Sequence, residues 1–271
     1  MRRIAHISDL HFGAHDPAIV AALHASLVGE APDLVVVSGD LTQRAKSRQF
    51  RAADAFLRGL EAAGMRLLVV PGNHDIPLYN VARRLLAPLD RYCRTVARGR
   101  SACYADGEIA ALGLVSAHGL TIKDGRLTRL QIASIPRAFA AAAPETFRLL
   151  VTHHPLVPLR DESGALDEAL RGAGRALTAV RKAGVHLILA GHNHAASAEI
   201  GGPQLATDAQ VMVVQAGTAT SWRRRGTPNS FNLLTIEAGR LTVDQRDAID
   251  GAFVTSRRRS FALGRDGWSS A

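Results

Sequence analysis

Five short blocks of potential metal ligands occur along the chain, and each directly follows an apolar run typical of a buried β-strand. The blocks are Asp9-Leu10-His11, Gly39-Asp40, Gly72-Asn73-His74-Asp75, His153-His154-Pro155 and Gly191-His192-Asn193-His194. Carboxylate and amide oxygens combined with imidazole nitrogens suit divalent cations such as Mn, Fe and Zn. One block alone would carry little weight, but five at strand ends indicate a metal centre.

The spacing within two blocks suggests paired ligands. Residues two apart on an extended chain share a face, so we expect Asp9 and His11 to bind one ion together. The same spacing predicts that His192 and His194 point into one site. Open α/β sheets build their sites at the carboxyl ends of the strands, which is where all five blocks lie.

Asp40 and Asn73 have roles that follow from their chemistry. Asp40 follows a buried strand and a glycine, and we expect its carboxylate to bridge two ions. Asn73 offers a neutral amide oxygen, which limits the negative charge around the centre.

The elements that must position these blocks alternate between strands and helices. We predict strands over 3–8, 33–38, 66–70, 109–116, 147–152, 185–190, 212–216, 230–236 and 241–246, and helices over 18–29, 47–63, 128–142 and 165–183. Such alternation predicts a largely parallel sheet with right-handed crossovers. The last three strands are predicted to be consecutive and antiparallel. We expect one domain over 1–248 and an Arg-, Ser- and Gly-rich, loosely held C-terminal tail over 249–271.

Composition bounds the class of protein. With 271 residues and 47% hydrophobic content, the chain can bury a large core, and it has no apolar run long enough to span a bilayer. The first strand begins almost at Met1, which leaves no room for a secretory leader, so a cytoplasmic location is expected. The net charge is +9, and almost all of the basic residues are arginines, with clusters at 223–225 and 257–259. These clusters predict either solvated faces or contacts with an anionic substrate or nucleic acid.

Taken together, the blocks resemble those of the calcineurin-like metallophosphoesterase superfamily over most of the chain. The segments Asp9–Phe12, Gly39–Thr42, Ala216–Ala219 and Pro228–Asn232 resemble the bacterial class III cyclic-nucleotide phosphodiesterases and their glycerophosphodiesterase relatives. This resemblance implies an α/β fold, a four-layer αββα sandwich of two mixed β-sheets flanked by helices.

The resemblance also implies a ligand set for two divalent metal ions. One ion would be held by Asp9, His11, Asp40 and His194, and the other by Asp40, Asn73, His153 and His192. We choose His153 over His154 because the family ligand lies at the end of the strand in a His-x-Pro context. His154, Arg223 and Arg224 are expected to contact substrate.

Two further residues of the third block receive roles by resemblance. His74 is the expected catalytic residue, which either stabilises the phosphoryl group or protonates the leaving oxygen. Asp75 would either hydrogen-bond an imidazole and fix its tautomer or serve only as a turn residue.

The function implied is hydrolysis of a small phosphodiester, such as a cyclic nucleotide or glycerophosphodiester, by a hydroxide that bridges two metal ions. One alternative is a UDP-2,3-diacylglucosamine pyrophosphohydrolase of lipid A synthesis, although those enzymes usually carry arginine where this chain has His74. Others are a nuclease and a metal-free scaffold of the same fold. Related phosphodiesterases are often dimeric, so a homodimer is also expected.

Overall fold

The computed structural model describes residues 1–157, 169–201, 211–223, 226–265 and 267–271. The strands are β1 (Arg2–Ile7), β2 (Leu34–Val37), β3 (Arg66–Val69), β4 (Cys103–Ala105), β5 (Ile109–Gly113), β6 (Phe147–Val151), β7 (Leu187–Ala190), β8 (Ser197–Gly201), β9 (Val211–Gln215), β10 (Ser230–Glu237), β11 (Arg240–Ile249), β12 (Ala252–Gly264) and β13 (Gly267–Ser270). The helices are α1 (Pro17–Glu30), α2 (Ser47–Ala62), α3 (Val81–Leu86), α4 (Asp90–Thr95), α5 (Arg129–Ala138) and α6 (Ala173–Lys182), and a 3-10 turn covers Asn73–Asp75.

These strands form two mixed sheets. The seven-stranded first sheet has the order β13-β12-β11-β10-β1-β2-β3, in which β1, β2 and β3 are parallel and β10 to β13 are antiparallel. The six-stranded second sheet has the order β4-β5-β6-β7-β9-β8, with a parallel centre and antiparallel strands at both edges.

Both faces of each sheet are covered, which explains the continuous apolar runs in the sequence. On β1, Ala5 packs under α1 and α2, whereas its neighbour Ile4 lies in the core between the sheets. On β6, Leu150 packs under α5 and α6, whereas Leu149 lies in that same central core. The layers are therefore helix, sheet, sheet and helix, and the predicted αββα fold class is confirmed.

The structure corrects the predicted pairing of one strand and the start of one helix. β9 was expected to pair with β10, but it lies in the second sheet, parallel to β7 and antiparallel to β8. A fully buried strand carries no signal in its own residues for which sheet it joins. The helix predicted over 165–183 begins at Ala173, after Gly172 with a φ of 99°. Residues 165–168 lie outside the described part of the chain.

The segment predicted as a loosely held tail, 249–271, is instead part of the first sheet. Its described residues form β12 and β13, which pair with β11 and with each other. Phe253, Phe261 and Trp268 are buried, and the Trp268 indole N–H donates to the His186 carbonyl (2.8 Å). Three large apolar side chains anchor a segment whose overall composition is polar. None of the described helices is both long enough and apolar enough to cross a membrane.

Candidate metal centre

The five blocks lie together at one edge of the sandwich, beyond the carboxyl ends of β1, β2, β3, β6 and β7. In the first sheet, the Asp9 N–H donates to the Gly39 carbonyl (3.0 Å) and the His11 N–H to the Asp40 carbonyl (2.9 Å). A contact between the sheets follows, because the His192 N–H donates to Asp9 Oδ2 (3.1 Å). The blocks of the two sheets thus meet in one place.

The backbone at these blocks has an uncommon conformation. Five predicted ligands have positive φ: Asp9 (54°), His11 (46°), Asp40 (51°), His192 (76°) and His194 (59°). Non-glycine residues rarely adopt the left-handed region, and such residues cluster at functional sites. The extended-chain argument for the Asp-x-His and His-x-His spacing is therefore wrong, because β1 and β7 end before these blocks. Left-handed turns, not an extended strand, aim the side chains.

Two glycines next to the ligands permit close approach. Gly39 has a φ of 106°, and a Cβ there would lie 2.5 Å from His153 Nδ1. A Cβ on Gly191 would lie 1.9 Å from Ser8 Oγ. Any side chain at either position would push a predicted ligand or its support out of place.

The first ligand cluster consists of Asp9, His11, Asp40 and His194, all buried. His194 Nε2 lies 3.2 Å from Asp9 Oδ1 and 3.3 Å from His11 Nε2. His11 Nε2 lies 3.5 Å from Asp9 Oδ1 and 3.6 Å from Asp40 Oδ2. These four atoms surround one point, as the ligands of a single cation would.

The second ligand cluster consists of Asp40, Asn73, His153 and His192. His153 Nε2 lies 3.1 Å from Asn73 Oδ1, 3.3 Å from His192 Nδ1 and 3.5 Å from Asp40 Oδ1. His192 Nδ1 lies 3.2 Å from the same Asn73 oxygen. Asp40 therefore turns one oxygen toward each cluster, which is the geometry of a shared ligand.

His154 is a competing ligand for the second cluster, because its ring lies 4.6 Å from that of His192. These two histidines and His153 also form a group that could hold a metal ion, but His154 is buried and its Nδ1 lies 2.8 Å from Ser116 Oγ. Only His153 brings a ring nitrogen to Asn73 and Asp40 together. The geometry favours His153 as the ligand and gives His154 a supporting position, with no exposed atom for substrate.

Hydrogen bonds fix the tautomers of two of the imidazoles. His153 Nδ1 donates to the Ser38 carbonyl (2.8 Å), and His194 Nδ1 donates to the Arg223 carbonyl (2.7 Å). In neutral rings, both Nε2 atoms then carry lone pairs that face the clusters. Asp9 Oδ1 is buried with no hydrogen-bond donor. Lone pairs that converge on a buried carboxylate fit a divalent cation in each cluster.

The pKa shifts of the two carboxylates, Asp9 and Asp40, also favour a bound cation. Burial and the neighbouring Asp9 charge raise the pKa of Asp40 well above its ordinary value. Burial opposes ionisation of Asp9 as well, but His194 and His11 hold the pKa of Asp9 well below its ordinary value. Burial would lower the pKa of His194, yet Asp9 raises it. The buried Asp9 carboxylate thus favours positive charge in the first cluster, which a bound cation would supply.

His74 lies at the edge of both clusters without joining either. Its backbone N–H donates to Asp40 Oδ1 (2.8 Å), and its ring Nδ1 donates to the Gln43 carbonyl (3.0 Å). The other ring nitrogen, Nε2, accepts from the Arg223 guanidinium (2.8 Å). Burial and the nearby His11 lower the pKa of His74 to about 4. A neutral His74 has no proton to donate from Nε2 here, so the arrangement favours holding Arg223 over general acid catalysis.

Asp75 does not contact an imidazole, in contrast to one of its two predicted roles. Its buried carboxylate accepts from the backbone N–H groups of Leu41 (3.1 Å), Thr42 (2.9 Å) and Gly72 (2.9 Å), and from the Thr42 hydroxyl (2.9 Å). Leu41 and Thr42 directly follow Asp40. Asp75 therefore ties the loop after β2 to the loop after β3, and it positions Asp40 through the backbone.

A cavity of about 380 Å³ opens above the clusters, lined by Asp40, Asn73, His74, Lys123, His192, His194 and Arg223. Arg223, a predicted substrate contact, lies in it; Arg224 lies outside the described residues. Lys123 was missed by the sequence analysis, because nothing around the Asp124-Gly125 turn marks it. The structure places it there because Asn73 Nδ2 donates to the adjacent Ile122 carbonyl (3.2 Å).

One curated protein is similar to a part of this chain. Over 83 residues the chain is 36% identical to the glycerophosphodiester phosphodiesterase GpdQ of Enterobacter lignolyticus (strain SCF1), a match that spans 27% of this chain and only 29% of that protein.

Two solved structures share the fold at low identity. A dimetal phosphatase from Danio rerio superposes with a TM-score of 0.63 at 13% identity, over 94% of this chain and 98% of that one. The purple acid phosphatase PPD1 of yellow lupin gives a TM-score of 0.68 at 14% identity, over 96% of this chain and 53% of that one.

The family model for calcineurin-like phosphoesterases matches residues 2–196. This range is more than half of the chain and includes all five blocks. The protein therefore belongs to the calcineurin-like phosphoesterase family.

Proposed function

We propose that this protein is a dinuclear-metal phosphodiesterase that hydrolyses a small phosphodiester, such as a cyclic nucleotide or a glycerophosphodiester. The observation that carries the proposal is the pair of ligand clusters that share Asp40, each completed by imidazoles with their lone pairs turned inward. The local similarity to a glycerophosphodiester phosphodiesterase supports a diester substrate.

We expect one cation in the first cluster and one in the second. Divalent cations held there would act as Lewis acids toward the phosphoryl oxygens and would lower the pKa of water enough to make it a nucleophile at neutral pH. No side-chain nucleophile is then required. Mn, Fe and Zn all suit this mixture of carboxylate, amide and imidazole ligands.

The residues around the clusters bind and orient the substrate. Arg223 and Lys123 place two positive charges at the mouth of the cavity, where a phosphodiester carries its negative charge. His74 accepts from Arg223 and so holds its guanidinium against the wall of the cavity. Asn73 contributes an oxygen to the second cluster and, through its amide N–H, fixes the loop that carries Lys123.

A metal titration with a substrate panel tests the proposal. Chelator-treated protein should be inactive, and it should regain hydrolysis of bis(p-nitrophenyl) phosphate as two equivalents of Mn bind. The panel then compares cyclic nucleotides, glycerophosphodiesters, monoesters and UDP-2,3-diacylglucosamine. We expect diesters to exceed monoesters in kcat/KM. Faster hydrolysis of monoesters, or of UDP-2,3-diacylglucosamine, would contradict a phosphodiesterase of small diesters.

A further inference from the structure

A second cavity of about 190 Å³ continues from the metal cavity, past His74. It shares Asn73, His74, Lys123 and Arg223 with the first cavity, so the two are adjoining parts of one groove. A substrate whose phosphorus lies over the ligand clusters would therefore extend one of its substituents into this second cavity. Metal binding and ester hydrolysis do not account for the residues that line this second cavity.

The lining of the second cavity combines apolar side chains with positive charge. Ile76, Leu78 and Ile122 form its apolar part. The cations are Arg44, Arg84, Lys123 and Arg223. Among the described residues that line it there is no aspartate or glutamate, and none of these four cations forms an ion pair within the described part of the chain.

Arg84 shows that this charge is built into the fold. It is buried, and its guanidinium donates to the carbonyls of Pro77 (3.2 Å) and Thr121. These neutral partners accept two hydrogen bonds from the guanidinium without cancelling its charge. Arg84 thereby joins the two loops that form the cavity walls, and it leaves a fixed positive charge beneath them. Burial without an acidic partner is unfavourable for a cation unless an anion comes to it.

Arg44 and Lys123 stand at the rim of the same cavity. Arg44 is half-buried, and its guanidinium carbon lies 5.4 Å from the centre of the Tyr79 ring, a cation–π contact that leaves its charge uncompensated. Lys123 is one of only three lysines in the chain, and its loop is held by the Asn73 amide at the adjacent Ile122. Both side chains are free to meet a ligand that enters from solvent.

We infer that this second cavity is a subsite for a second anionic group of the substrate, a phosphate or carboxylate carried on an apolar or ring-containing substituent of the scissile phosphodiester. The inference rests on the proposed function and narrows its substrate class. It favours nucleotide-like diesters with an additional phosphate over glycerophosphocholine, whose cationic headgroup the four positive charges would repel. Arg44 and Lys123 are the specificity-determining residues.

A matched pair of substrates tests the subsite. The p-nitrophenyl ester of thymidine 5′-phosphate and the same ester with an added 3′-phosphate release the same p-nitrophenolate as water displaces it at the 5′ phosphorus. We expect the added phosphate to raise kcat/KM about tenfold, mainly through KM, since a charge-assisted contact of this kind has that order of effect. The preference should shrink as ionic strength rises.

The variants Lys123→Met and Arg44→Met should each lower that preference, and the double variant should lose most of it, although Arg84 and Arg223 still line the cavity. Lys182→Met, an exposed lysine at the end of α6, is the matched control and should retain the full preference. An added 3′-phosphate that changes kcat/KM less than about twofold in the wild type would overturn the inference. So would a preference that is undiminished in the double variant.

A binding measurement separates failure of the subsite from failure of the proposed function. Calorimetric titration of metal-depleted protein should show tighter binding of thymidine 3′,5′-bisphosphate than of thymidine 5′-phosphate, and this difference in affinity should shrink in the double variant. This result would support the subsite even if no diester were turned over. Equal affinities in the wild type, together with good hydrolysis of bis(p-nitrophenyl) phosphate, would reject the subsite alone.

Discussion

The two sheets of the sandwich contribute different chemistry to the metal centre. Loops of the first sheet supply both carboxylates, Asp9 and Asp40, together with His11 and Asn73, whereas loops of the second sheet supply only imidazoles. All of the negative charge that attracts cations therefore comes from one sheet. Burial lowers the pKa of His153 and of His192 to about 3, so that these two ligands of the second sheet present neutral lone pairs at physiological pH.

Because of this division, removing a ligand of the first sheet should affect metal binding differently from removing a ligand of the second sheet. Removing the shared carboxylate of the first sheet affects both clusters, whereas removing one imidazole of the second sheet affects one. The cations also span the interface between the sheets, so metal binding should stabilise their packing. The predictions that follow test this asymmetry, from the largest effect to the smallest.

Asp40→Asn should have the largest effect, because it removes the charge that both clusters share. We expect metal content to fall from two equivalents to none and activity to fall on the order of a thousandfold. Metal analysis after gel filtration and assay with bis(p-nitrophenyl) phosphate would measure both. Retention of one tightly bound ion would show that Asp40 is not shared.

His153→Ala should have a smaller and one-sided effect. The second cluster loses a ligand while the first keeps all four, so metal content should fall from two equivalents to one. Affinity at the damaged site should fall more than about a hundredfold, beyond the usual result of changing a supporting residue. His24→Gln, on α1, is the control that should keep both ions. Unchanged metal content in His153→Ala combined with its loss in His154→Ala would reverse the ligand assignment.

Asp75→Asn should weaken the centre without removing a ligand. The Asp75 carboxylate accepts hydrogen bonds from three backbone N–H groups, and the amide nitrogen of the substituted asparagine could not accept them. Each buried donor left unpaired in this way costs about 1–3 kcal/mol of stability. We expect metal affinity to fall about 10- to 100-fold, as for other residues that orient ligands indirectly. Denaturant unfolding and Mn titration measure the two effects. Normal metal affinity in a folded variant would show that Asp75 is only a turn residue.

His6→Gln should have the smallest effect, visible only in the pH dependence of stability. His6 is buried on β1 beside Ser38 (2.9 Å), and burial lowers its pKa to about 3. The unfolded chain binds this proton near pH 6.5, and the folded chain does not. The contribution of His6 to the free energy of unfolding is therefore fully present above that pH and is lost as pH falls toward about 3.

The variant lacks this titration, so with chelator present it should lose less stability on acidification, by up to about 1.4 kcal/mol per pH unit. Unfolding midpoints at pH 7, 6 and 5 provide the measurement. Parallel pH profiles for the variant and wild type would show that His6 is protonated in the folded protein.

Some of this protein could be predicted from residue order alone. Apolar runs with buried character predicted the strands that carry the five blocks, and the chemistry of Asp9, Asp40, Asn73 and their histidines predicted divalent metals. Local patterns are sufficient here because a strand buried on both faces must be apolar throughout, and because polar residues directly after such a strand must lie at its end.

The tertiary structure alone decided how these pieces meet. It placed β9 in the second sheet and made 249–271 part of the first, since partner choice depends on surfaces far away in sequence. Asp9 and His194 have left-handed backbone conformations in the folded protein, and these turns direct their side chains into the site. The tertiary structure also brought Lys123 and Arg44 to one groove. Sequence sets which chemistry is available at each strand end, but distances between chain segments set which groups act together.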